Sequence, residues 1–597
     1  MKLTVSASLL CACTLLWIAP VISVRAVAAD ARPPPAGDDA ALARLADDYF
    51  DQFYFPANPT AATVAGIHRY DEQLEDYSRA GIERKIAALR AYQRRFEAVA
   101  VSGLSERAQG DRELLLASIR GTLLTLTTVR PWQKNPDSYS SGISASAFAI
   151  MERSFASPNE RLQLLIERER RMPAALQAAR VNLRDPPKIY TSIAIEQLPD
   201  IIEYFRTDLP SAFSGADDRA LQSRFSAVNG QVIAALKSYQ HWLQTQLLPR
   251  SHGDFRLGAK TFSAKLLYDE MVDTPLPRLL EIGNADLKRN QEQFIRVAHE
   301  LEPDKSAQQV LAELAADHPD PAALLESFRA TFDGVIGFID EHHIITVPSS
   351  VRPLLRETPP FMRATTFASM DTPGPYESVA TEAYFFVTLP DPSWDAQHTE
   401  GFMAQLSFPV ISNVVVHEAY PGHYIQFLWM HRIDDRVRKL IGANSNDEGW
   451  AHYCEQMMLD EGFGQPGSGS GAKNEREAKL LRLGQLQDAL LRNARFIVGI
   501  QMHTGQMSME QAIDFFVTQG FQSREVGEVE TKRGTSDPTY LYYTLGKLQI
   551  LKLRADLQAR EGSDFKLEQF HDDFMRQGFP PIKLVRRALL HDDSPTL

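Results

Sequence analysis

The sequence predicts a mainly α-helical protein with one small β-sheet. Three observations carry this. Apolar residues recur at helical spacing along most of the chain. β-branched and aromatic residues concentrate in one short region, residues 363–389. The 597 residues are too many for one ordinary compact core, so more than one lobe is expected.

The stripes come first. Leu42, Leu45, Tyr49 and Phe53 share one helical face. Leu280, Leu287, Phe294 and Leu301 recur every seven residues. Leu483, Leu486, Leu490, Ile497 and Ile500 draw a third stripe. Such spacing marks amphipathic helices, and these stripes face a core rather than a ligand. The strand signals are Arg363–Met370 and Glu382–Leu389, with a turn at Asp371–Pro375 between them. Gln465–Asn474 reads as a loop between helices. The expected division is an N-terminal lobe over about 29–360 and a second lobe over about 361–597.

Residues 1–28 read as an export signal. Lys2 precedes an apolar run from Leu9 to Val24, and Ala26-Val27-Ala28 offers small residues for cleavage. A membrane anchor is the competing reading. A lipoprotein site at Leu10–Cys13 is disfavoured because the apolar run continues past Cys13. No later stretch is long and apolar enough to span a bilayer. The expected location is therefore periplasmic or secreted. Cys11 and Cys13 leave with the signal, so Cys454 remains alone and no internal disulfide is possible. The formal net charge is −13, and losing Lys2 and Arg25 with the signal makes it −15. That excludes a general affinity for nucleic acid or anionic membrane, which needs a basic face. Composition does not indicate an oligomeric state.

The chemistry concentrates in VVVHEAYPGHYIQFLW, Val414–Trp429. In the H-E-x-x-H pattern two histidines four apart share one helical face and bind zinc. His417 and His423 are six apart, which a regular helix places about 240° round from each other. Pro421 lacks the N–H that would bond to the residue 417 carbonyl, and Gly422 reaches backbone angles closed to other residues. Together they permit a two-residue expansion that would rotate His423 back towards His417. The competing reading is a plain helix break. Glu418 occupies the place of the general base, which passes a proton from water to the leaving amine.

Catalytic zinc takes three protein ligands and keeps one open position. The third should lie in NSNDEGWAHYCEQMM, Asn444–Met458. Asn446 or Asp447 is expected to cap a helix. Glu448 falls in its first turn, and His452 and Glu455 lie near the same face. Any of the three could coordinate. Glu448 is the favoured ligand, with His452 and Glu455 orienting ligands from behind.

HEAYPGHYIQ followed by DEGWAHYCE resembles the signature of a bacterial family known as domain of unknown function 885. Asn58–Ser78, Arg495–Ala512 and Glu528–Arg554 resemble other segments of that family, so the likeness covers nearly the whole mature chain. Tyr424 departs from the pattern, where many members carry another histidine. The resemblance implies a zincin-like, mostly helical peptidase fold with the active site in a cleft between two helical lobes, and the strand signals put the small sheet next to the metal-binding helix of the second lobe. It implies zinc held by His417, His423 and Glu448, with Glu418 as general base. It implies no particular substrate.

An oxyanion donor is also expected. Tyr543 is the first choice, His503 the second, and Tyr540 and Tyr542 compete. Arg533 could bind a substrate carboxylate bidentately. The strand around Tyr384 could pair with an extended peptide as an edge strand. The expected activity is that of an exported zinc peptidase acting on short peptides. The alternatives are a metal-dependent hydrolase of another amide or ester, and a non-catalytic exported binding protein.

Overall fold

All three stripes fold as helices in a computed structural model, which describes residues 37–358, 363, 367–467 and 474–597. The expected signal, with Leu10–Cys13, lies outside the described residues. Near the start, Leu42, Tyr49 and Phe53 are buried along a helix over Gly37–Tyr49 and the wider turns that extend it.

Seven helices frame the site and are numbered in chain order: α1 (Leu276–Leu301), α2 (Phe408–Glu418), α3 (His423–Met430), α4 (Asn444–Asp460), α5 (Glu475–His503), α6 (Arg524–Ser536) and α7 (Tyr542–Glu561). The second stripe lies on α1 and the third on α5. They bury each other: Leu287, Phe294 and Leu301 meet Leu483, Leu486, Leu490 and Ile497 in one apolar cluster. The described residues belong to one unit, Ala36–Leu597. Apolar clusters cross the position expected to divide two lobes. Phe50 and Leu114, for example, share a core with Val437, Ile441 and Leu584. Among the described residues no helix is long and apolar enough to cross a membrane.

The sheet has three strands: β1 (Leu354–Glu357), β2 (Ala368–Asp371) and β3 (Tyr384–Val387), in the order β1-β3-β2. β1 runs parallel to β3 and β2 antiparallel to it. Of the strand expected over Arg363–Met370, residues 364–366 lie outside the described residues and the rest starts only at Ala368. β3 corrects an expectation. It is the central strand, paired on both sides and buried throughout, so no peptide can add to it. Its apolar side chains made it look like a strand, and the same side chains place it inside, where Phe385 packs on Phe328 and Phe332. Tyr384 is buried too, with the guanidinium of Arg356 4.2 Å from its ring centre and that of Arg153 5.7 Å away. These contacts make Tyr384 a packing residue rather than a substrate contact.

One polar cluster fastens the connection between β2 and β3 to the N-terminal segment. His68 Nδ1 lies 2.8 Å from Asp71 Oδ2, and Nε2 lies 2.9 Å from Glu377 Oε2. The ring stacks on Phe155 at 3.8 Å. Burial alone would discharge the imidazole, but the two carboxylates outweigh it and raise its pKa. A raised folded pKa means that the stabilisation is complete below the unfolded value, about 6.5, and fades as pH rises through the folded value. His68→Gln is therefore expected to destabilise the protein by about 1–3 kcal/mol near pH 6, because two buried carboxylates lose a charged partner. The gap to wild type should narrow towards alkaline pH. Thermal melts across pH check this, and a gap that stays constant would show that His68 carries no charge in the folded state.

Candidate metal centre

The site begins at the break between α2 and α3. The expected expansion is present and wide enough to end one helix and start another. α2 stops at Glu418 and α3 begins at His423. The turns between them still close: Gly422 N–H donates to the Val416 carbonyl at 3.0 Å and Ile425 N–H to Ala419 at 3.4 Å, each six residues back. Those bonds are two residues wider than α, which supplies the rotation that the spacing lacked. Gly422 is required by close approach, since a Cβ there would overlap the His417 carbonyl oxygen. The Trp450 indole donates to the Pro421 carbonyl at 2.9 Å and fixes the turn to α4.

His423 thus returns to His417, with ring centres 4.9 Å apart and planes perpendicular. Their Nε2 atoms converge on one oxygen. Glu448 Oε2 lies 3.3 Å from His417 Nε2 and 3.4 Å from His423 Nε2. Glu448 comes from α4, which crosses α7 closely: a Cβ on Gly449 would collide with Gly546. That crossing sets Glu448 against Tyr543, whose hydroxyl donates to Glu448 Oε1 at 2.8 Å. His417, His423 and Glu448 form a group able to hold a metal ion, all donor atoms lying within 4.8 Å of one another. Both histidines are buried, while Glu448 keeps 24% of its side chain exposed.

Each imidazole is held from behind. His417 Nδ1 lies 2.7 Å from Glu455 Oε1, and His452 Nδ1 lies 3.1 Å from Glu455 Oε2. His423 Nδ1 lies 3.1 Å from Asp447 Oδ1, within ion-pair distance although off the line of a hydrogen bond. Carboxylates there fix ring orientation and raise ligand basicity. Burial opposes charge on both imidazoles. Glu448 and Glu455 reverse this for His417, and Asp447 and Glu448 reverse it for His423. Glu448 and Glu455 are in turn held well below the usual carboxylate range despite burial, Glu448 by the two histidines and Glu455 chiefly by the Arg492 charge. His452 itself is pushed down to about 3 by burial and the Lys547 charge, so it is neutral. These contacts separate the three candidates of the EGWA helix. Glu448 faces both Nε2 atoms, whereas Glu455 and His452 stand behind. Asp447→Asn and Glu455→Gln are each expected to weaken the affinity of this cluster for an added metal ion by about 10–100-fold without abolishing it. Competition with a chelator measures this, and unchanged affinity would remove these carboxylates from the site.

Glu418 is not one of the converging donors, but it is near enough to His417, His423 and Glu448 to feel their charges. Its Oε2 accepts the Met370 N–H of β2 at 3.0 Å. Burial raises its pKa, and the charges of His417 and His423 pull part of that shift back.

The remaining expectations divide. Tyr543 reaches the centre through Glu448. Arg533 joins it, its Nη2 donating to Tyr543 Oη at 3.2 Å. Tyr542 turns to Asp537, donating to Oδ2 at 3.0 Å, and Tyr540 is fully buried in an apolar cluster. His503 is a correction: it is buried, its Nε2 lies 2.7 Å from the Gly534 carbonyl, and its ring packs near Phe255 and Phe262. It serves the core and offers no donor to the site. The capping expectation also changes. α4 starts at Asn444 behind Ala443, so Asn446 and Asp447 lie inside the first turn. Sequence reading missed Asp447 as a histidine partner, the Met370 N–H, and Arg492, whose Nη2 lies 3.0 Å from Glu455 Oε1. Only Asp447 carried a local signal, its place beside Glu448.

A family profile described as bacterial protein of unknown function (DUF885) matches residues 59–589. The chain belongs to this family. Two solved structures share the DUF885 chain's fold over nearly its whole length. One, from Shewanella oneidensis, is described as a candidate lipoprotein of unknown function. It is 26% identical with a TM-score of 0.76, covering 92% of this chain and 99% of its own. The other, described as a candidate lipoprotein from Colwellia psychrerythraea, is 18% identical with a TM-score of 0.76, covering 93% and 99%. No curated protein matches.

Proposed function

We propose that this protein is an exported zinc-dependent peptidase of zincin-like type that hydrolyses peptide bonds in short peptides. One observation carries the reading: two buried imidazole Nε2 atoms and a carboxylate converge on one point, with a second carboxylate, Glu418, near enough to feel their charges. The donor set fits zinc, because two imidazoles and one carboxylate are a familiar catalytic set that leaves a fourth position open. Zinc bound there would supply a Lewis acid for the scissile carbonyl and would bring the pKa of a neighbouring water towards about 7. The protein's own groups do the rest. Glu418 takes the proton from the attacking water and returns it to the leaving amine. The Met370 N–H orients the Glu418 carboxylate. Tyr543 would serve a developing oxyanion by turning to it the single O–H that now donates to Glu448.

Export is supported by the leader-like N-terminus and by the description of both solved relatives as candidate lipoproteins. That description also brings back a lipid-anchored reading at Leu10–Cys13.

The test is a digest of a mixed peptide library by the purified mature chain, with and without zinc, read by mass spectrometry. Zinc-dependent cleavage of peptide bonds is the expected result. Turnover of esters or non-peptide amides alone would replace the peptidase reading with the broader hydrolase one. Zinc binding without turnover would favour a binding protein.

A further inference from the structure

We infer that Arg533 anchors the free C-terminal carboxylate of the substrate, so that the enzyme removes single residues from the C-terminal end. This rests on the peptidase reading and names its substrate class.

Three guanidinium groups surround the Tyr543 ring, at 5.0 Å for Arg495, 5.6 Å for Arg492 and 5.7 Å for Arg533. Two are committed to protein carboxylates. Arg495 grips Glu530 with two hydrogen bonds, 2.6 and 2.8 Å. Arg492 is held by Glu455 at 3.0 Å and Asp488 at 4.0 Å. Arg533 differs. Its contacts are longer: 3.2 Å to Tyr543 Oη, 3.4 Å to Tyr542 Oη and 3.3 Å to Asp537 Oδ2, all from Nη2. Asp537 is shared with the Tyr542 hydroxyl at 3.0 Å. The Arg533 side chain keeps 35% exposure. A planar fork with spare donors, open to solvent beside a hydrolytic centre, suits a carboxylate.

Its position sets the register. Two hydrogen bonds, 3.2 and 2.8 Å, lead from Arg533 through Tyr543 Oη to Glu448, one of the converging ligands. One extended residue spans about 3.5 Å. That path sets an upper limit on the separation, shorter than two extended residues, so a carboxylate held by Arg533 brings the last peptide bond, and no earlier one, to the centre. In that step the water oxygen bonds to the carbonyl carbon and the C–N bond breaks. The amine leaves with the proton relayed by Glu418, as a free amino acid.

The test compares three peptides of one sequence with the zinc-loaded enzyme: a free acid, its C-terminal amide, and an amide ending in glutamate. The free acid is expected to exceed the neutral amide by about 10–100-fold in kcat/KM, chiefly through KM, as a charge-assisted pair implies. Arg533→Gln should collapse that ratio towards one. Zinc-loaded Glu418→Gln should bind the free acid more tightly than the amide by calorimetry, a readout that needs no turnover. Equal cleavage of acid and neutral amide overturns this inference and leaves the peptidase reading standing. Cleavage of the glutamate amide at the free-acid rate overturns the terminal assignment, since Arg533 would then read side chains. An acid-to-amide ratio unchanged in Arg533→Gln removes Arg533 from the role. Turnover of none of the three overturns both readings.

Discussion

Wild-type protein is expected to take up one zinc ion per chain, and His423→Ala none under the same conditions. The expectation follows from how few donors the centre has. Three atoms converge, and removing one leaves His417 and Glu448, too few for a closed tetrahedral set. Loss of a ligand should exceed the roughly 10–100-fold cost of losing an outer partner. Stability should report the same event. A ligand present at about 100 times its Kd stabilises the folded state by roughly 2.7 kcal/mol, so zinc should raise the melting temperature of wild type and leave His423→Ala unmoved. Gly422→Ala should act in the same direction although it touches no donor, because its Cβ would displace the carbonyl of His417 and the turn that aims His423. Elemental analysis with thermal melts checks both variants. Wild-type stoichiometry in His423→Ala would remove His423 from the site. Zinc bound by neither protein would leave the Pro-Gly pair as a helix break and bring the binding-protein reading forward.

Much of this was legible in sequence because the signals were local. Each apolar stripe needed only the 3.6-residue period, and each became a helix. The return of His423 could be argued from Pro421 and Gly422, whose backbone limits act on their immediate neighbours. Glu448 could be favoured but not separated from His452 and Glu455. All three lie near one face of α4, and the choice depends on where α2 and α3 stand against that face. Non-local features were misread or missed. β3 has the composition of a strand, but composition does not say whether a strand is at an edge or in the centre, and β1 and β2 both pair with it. His503 ends its helix as a ligand or a core residue would, and only its packing beside Phe255 and Phe262 decides for the core. Arg492 lies 37 positions from Glu455 along the chain and meets it only because α5 packs against α4. The Met370 N–H leaves no trace in a side-chain pattern, since any residue at that place in β2 would present it.

Glu418→Gln should separate chemistry from metal binding. The substitution keeps the shape of the side chain and an oxygen that can still accept the Met370 N–H, now held at 3.0 Å. Glu418 is not among the three converging residues, so zinc content should stay at the wild-type level. What the amide cannot do is take a proton from water. General acid–base catalysis typically contributes about 10²–10⁴-fold, and kcat should fall by that order while KM changes little. Removal of an oxyanion donor costs about 10²–10³-fold, so Tyr543→Phe should lie at the milder end of the same scale. The contrast with His423→Ala makes the result specific. One variant loses zinc and activity together, whereas the other keeps zinc and loses activity alone. A stopped assay on the best peptide from the library, run beside elemental analysis of the same samples, gives both numbers. Wild-type turnover by zinc-loaded Glu418→Gln would show that another group activates the water, and the pairing of base and metal along HEAYPGH would lose its meaning.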